Sequence, residues 1–175
     1  MRAHGQTVGT LSSTPYRSSM RGGVVEQAEF DAMMDDPDKF IDGDISWNED
    51  VDHSPAVEFR VEVRSNAGYP LHLNGRYSPR ADTLSFTLIH RSVGRVYALD
   101  LGADHPTPPN RTLVGDPHKH RWTVLFGDKS AYSPPDITAT IDEVVEVWKQ
   151  FCAEARLQHE GVLDPIPPSQ EDLFP

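Results

Sequence analysis

Hydrophobic and polar residues alternate most regularly between residues 57 and 101. Val57, Phe59, Val61 and Val63 interleave with Glu58, Arg60, Glu62 and Arg64. That period of two marks a strand with one face buried. After the short loop Asn66-Ala67-Gly68, the residues Tyr69, Leu71, Leu73, Gly75 and Tyr77 share one face, with His72, Asn74 and Arg76 opposite. Ser78 to Asp82 turns the chain, and Leu84, Phe86 and Leu88 then alternate with Ser85, Thr87 and Ile89. Ser92-Val93-Gly94 leads into a fourth run with Tyr97, Leu99 and Leu101. Short loops can join only antiparallel neighbours, so these strands form a meander.

The flanks follow the helical period instead. Phe30, Met33 and Met34 give an apolar stripe from about Val25, which Asp35-Asp36-Pro37 interrupts before Phe40 and Ile41. Ile45 to Trp47 reads as a short strand. Residues 102–117 contain four prolines and no period, and a loop of that length tends to be functional or disordered. Further on, Thr140 and Glu143 have capping-box spacing. Ile141, Val144, Val145, Trp148, Phe151, Cys152 and Ala155 then recur as one helical face. The pattern predicts an α+β fold: an antiparallel β-meander of about five strands, with an N-terminal helix and an amphipathic C-terminal helix packed on one face. Residues 1–22, rich in Ser, Thr and Gly, read as a flexible tail. Residues 23–158 read as the single domain, and 159–175 as a Pro-rich acidic tail.

Composition narrows the setting. The net charge of −11 is uneven: residues 24–52 hold eleven Asp or Glu against one Lys, whereas residues 58–130 hold ten Lys or Arg against seven acids. General nucleic-acid binding is disfavoured by the total, yet a mildly basic sheet could still meet phosphate locally. The single cysteine, Cys152, excludes an internal disulfide and a cysteine-based zinc cluster. No apolar run is long enough for a membrane span, and the N-terminus lacks the apolar core of a secretory signal. A cytoplasmic protein without membrane attachment is the expectation.

The chemistry concentrates in Gly115–Tyr132, GDPHKHRWTVLFGDKSAY. If Asp116 to Phe126 is extended, His118, His120, Trp122, Val124 and Phe126 share one face, with Lys119, Arg121 and Thr123 on the other. Paired imidazoles can act as acid and base near neutral pH. His118, His120 and Lys129 are therefore the candidate catalytic set, with Asp116 or His105 beside them. Arg111, Lys119, Arg121 and Tyr132 are candidate binding residues for a phosphate-bearing ligand. The same His-x-His can alternatively supply two ligands of a divalent metal, with Asp116, His105 or Asp104 as the third.

Several segments carry a resemblance. Glu29-Phe30-Asp31, Lys39-Phe40-Ile41-Asp42, Leu99-Asp100-Leu101-Gly102, Pro117-His118-Lys119-His120 and Gly127-Asp128-Lys129-Ser130-Ala131-Tyr132 occur in an order that resembles a family of uncharacterised small bacterial proteins. That likeness spans about Glu29 to Trp148 and implies no activity. From about Tyr97 to Trp148 the chain is also similar to TumE-type toxins of toxin–antitoxin pairs, a likeness that implies RNA as substrate.

Three functions therefore stand open: an RNA-directed, ribonuclease-like activity on paired histidines, a non-catalytic partner in a two-gene module that docks on a cognate protein, and a His-based metal-binding protein.

Overall fold

The computed structural model describes residues 25–168. The tail expected over 1–22 and the Asp-Leu-Phe-Pro terminus lie outside the described residues. Helix α1 (Gln27–Asp35) opens the fold and is followed by β1 (Lys39–Asp42) and the short β2 (Asn48–Glu49). Four long strands come next: β3 (Val57–Ser65), β4 (Leu71–Ser78), β5 (Thr83–His90) and β6 (Gly94–Leu101). Each pairs antiparallel with the one before it, as the alternation predicts.

The chain continues through β7 (His105–Thr107), β8 (Thr112–Val114), β9 (His118–Arg121) and β10 (Ala131–Tyr132). A 3₁₀ turn (Ile141–Glu143) leads into α2 (Val144–Ala155), and β11 (Leu157–Glu160) follows. The main sheet has nine strands in the order β10-β9-β6-β5-β4-β3-β1-β11, with β2 beside β3. The five-strand expectation is thus too small. The meander is widened by β9 and β10 at one end and by β1 and β11 at the other. Nor does the chain close on a covering helix, because β11 returns after α2 to pair parallel with β1. Within the stretch read as a tail from 159, His159 and Glu160 complete β11, and Leu163 is buried.

The core lies on one face of the sheet. Phe59, Leu71, Leu73, Phe86, Leu88, Tyr97 and Leu99 are buried there. Helix α2 lays its apolar stripe against them: the Trp148 ring meets Phe59 and Phe86 edge-on at 5.9 and 5.1 Å, and Phe151 packs on Phe86 and Tyr97. Thr140 and Glu143 do form a capping box, but it closes the 3₁₀ turn, so the α-helix begins only at Val144. Phe59 crosses above Gly75 on the neighbouring strand, where a Cβ would stand 2.2 Å from the ring. Glycine there is what lets the aromatic lie flat against β4.

Helix α1 brings Phe30 against Trp122, with ring centroids 5.6 Å apart. Its last turn is closed by Lys39, whose fully buried ammonium donates to the carbonyls of Met33 (2.7 Å), Met34 (3.0 Å) and Asp36. Those are the carbonyls a helix end leaves without partners. Burial lowers the Lys39 pKa to about 8.

Candidate metal centre

Strand β9 does not follow β6 locally. Residues 102–117 leave the sheet as the separate β7–β8 hairpin, and the chain then returns to pair β9 antiparallel with β6, Asp100 opposite His118 and Ala98 opposite His120. The hairpin brings His105 over the histidines of β9. Among the described residues, His105, His118 and His120 form a group whose ligand-capable atoms all lie within 4.8 Å of one another. The His105 ring stands 4.5 Å from that of His120 and 5.6 Å from that of His118, centroid to centroid.

Asp100 completes the arrangement from β6. Its Oδ2 lies 3.2 Å from His120 Nε2 and 3.7 Å from His118 Nε2. Donors on a tetrahedral zinc with bonds near 2.0–2.1 Å sit about 3.3 Å apart, close to the Asp100–His120 separation, although Asp100 is not within 4.8 Å of all three imidazoles as they are of one another. Two of the three rings are held as metal-bound imidazoles usually are, against the main chain. His120 Nδ1 is 3.1 Å from the Asp128 carbonyl, and the His105 ring bonds the Lys129 backbone. The Asp128 carboxylate is in turn fixed by Arg95 Nε at 3.0 Å, and Arg95 also reaches to 4.0 Å of Asp100. His118 Nδ1 is buried without a hydrogen-bond partner among the described residues.

Burial lowers the pKa of both His105 and His118, and Asp100 only partly offsets that. Neutral imidazoles are the form that can donate a lone pair to a metal. His118 and His120 are buried, whereas His105 and Asp100 are half-buried.

The other sequence candidates are dispersed. Lys119 points away from the histidines, as alternation requires, but it is not a surface contact for phosphate. It is fully buried, with Nζ donating to Asp136 at 2.5 Å and to Glu154, 5.9 Å from the centre of the Tyr97 ring. Tyr132 lies beside it and donates its hydroxyl to Glu154 at 2.7 Å. Arg121 is spent on Asp31 (3.3 Å) and on the face of Phe30. Arg111 is exposed beyond β7, with φ +55°. Lys129 has an exposed side chain, and only its main chain joins the histidines. Asp116 is not among the clustered groups; its Oδ1 accepts the Gly102 N–H at 2.8 Å.

The face expected for Trp122, Val124 and Phe126 also changes, because β9 ends at Arg121. Thr123 and Gly127 exchange backbone bonds across a tight turn, which leaves Val124 and Leu125 exposed and sends Trp122 to Phe30.

The sequence matches the model of a family of unknown function, DUF6978, over residues 25–157. The chain belongs to that family. Nothing among curated proteins and nothing among solved structures matches it. The matched span runs from α1 to the first residue of β11, so it includes the three clustered histidines and the neighbouring Asp100. It agrees with the resemblance to an uncharacterised family. Among the described residues no helix is long and apolar enough to cross a membrane.

Proposed function

We propose that this protein binds one divalent transition-metal ion, of the zinc class, through His105, His118, His120 and Asp100. The observation that carries this reading is the convergence of three imidazoles, from a hairpin and a strand, within 4.8 Å, with a carboxylate oxygen 3.2 Å from one of them. Imidazole nitrogen with a single carboxylate suits zinc and its borderline neighbours better than magnesium or calcium, which prefer oxygen. Four protein donors describe a closed centre that stabilises structure.

The ribonuclease reading has less behind it. Proton transfer to RNA needs imidazoles within hydrogen-bond reach of the substrate, and His118 and His120 are both buried. Lys119, Arg121 and Tyr132, which were to gather a phosphate, are engaged on the other side of the sheet. The likeness to TumE-type toxins over about Tyr97 to Trp148 finds no support in the family match, which carries no known function.

The test is metal uptake by full-length protein made without a histidine tag. Titration with Zn²⁺ should give one equivalent, and Co²⁺ should give the visible absorption of a tetrahedral centre. Both should be lost in His118→Ala and His120→Ala and kept in His159→Ala, whose ring instead joins Trp148 to the Gly43 carbonyl. A folded wild-type chain that takes up no stoichiometric metal would overturn the reading.

A further inference from the structure

We infer that occupancy of this centre, rather than the hairpin's own packing, decides whether the 102–117 segment lies on the sheet, which makes that segment a metal-operated flap. The inference rests on the metal reading above.

The hairpin has little else to hold it. Strands β7 and β8 pair only with each other and form no ladder with the main sheet. None of residues 102–117 is buried, and Leu113 is 67% exposed. The segment therefore contributes no side chain to the apolar core, and a lone two-stranded hairpin is at best marginally stable in water. Its contacts with the sheet are polar. Thr107 Oγ1 accepts the Ala131 N–H at 2.9 Å, and His105 meets the Lys129 main chain and the two imidazoles of β9. Without an ion, His105 meets the two imidazoles of β9 only through ring contacts, stacked at 5.6 Å on His118 and edge-on at 4.5 Å to His120. With an ion, His105 becomes the one ligand that comes from the hairpin, while Asp100, His118 and His120 come from strands already paired. Coordination by His105 then closes two shorter loops, back to Asp100 and on to His118, within the one the β6–β9 ladder already closes, and opening the flap means breaking a coordination bond. Closing such a loop gains stability through the entropy it removes from the open state.

Hydrogen exchange of the full chain, read by mass spectrometry with Zn²⁺ and with a chelator, tests this. Zinc should slow exchange of peptides covering 105–114 at least tenfold while β4 and β5 change little. His105→Ala should exchange in this region like the chelated protein even with zinc present. Thr107→Val, which removes the other anchor, should remain protected when loaded. Stoichiometric zinc uptake with no change over 105–114, equal slowing across the whole sheet, or release of the loaded flap in Thr107→Val would each overturn the flap. A chain that binds no zinc would overturn the metal centre itself.

Discussion

Asp100 and His120 approach to 3.2 Å across the β6–β9 ladder, yet they are not directly opposite: Asp100 faces His118, and His120 faces Ala98. The diagonal places the carboxylate between the two imidazoles. Asp100→Asn should therefore weaken zinc at least tenfold, since even outer partners of metal ligands are worth about 10- to 100-fold in affinity. Competition against a chromophoric chelator measures it. Affinity equal to wild type would remove Asp100 from the ligand set.

The opposite face of β9 supports a separate prediction. Lys119 is a buried cation held by two carboxylates that are 41% and 31% exposed. Lys119→Met should destabilise the fold by about 2–3 kcal/mol, below the usual cost of breaking a fully buried pair because Asp136 and Glu154 keep some water. Denaturant midpoints read this directly. Zinc stoichiometry should be unchanged, because Lys119 points away from the centre.

Glu154 gives that region an acid limit. Desolvation raises its pKa, but hydrogen bonds from Lys119 and Tyr132, with the charge of Lys119, outweigh burial and hold it below the ordinary 4.5. A depressed folded pKa means stability present above about pH 4.5 and lost as pH falls through the folded value. In Glu154→Gln the stability-against-pH curve should be flatter below pH 4.5.

At alkaline pH the signs reverse. Burial raises the pKa of Tyr97 and Tyr132 above the ordinary 10, and that of Cys152 above 9. These groups stay protonated in the fold and ionise once unfolded, so stability falls as pH rises beyond about 9–10. Lys39 acts oppositely between about 8 and 10.5. Burial raises the pKa of Tyr69 as well, so four groups outnumber one, and the net slope should be negative above pH 10 and shallower in Tyr97→Phe.

Gly75→Ala tests the packing of β3 on β4. Its Cβ would stand 2.2 Å from the Phe59 ring, which also packs against Trp47, Phe86 and Trp148. Overpacking of this kind costs about 1–3 kcal/mol and should appear as a lower melting temperature.

Local pattern by itself determined the four meander strands, both helices, the capping box at Thr140 and Glu143, and the opposite facing of Lys119 and its flanking histidines. Each follows from residues within a few positions of one another, where periods of two and 3.6 decide which side a residue takes. Only the tertiary structure decided that β9 skips the hairpin to join β6, that β11 returns beside β1, and that Asp100 and His105, rather than Asp116, stand with His118 and His120. Alternation says which face a residue occupies but not which strand lies next to it. A centre assembled from three separate segments is therefore settled by long-range pairing, which leaves no local trace in the order of residues.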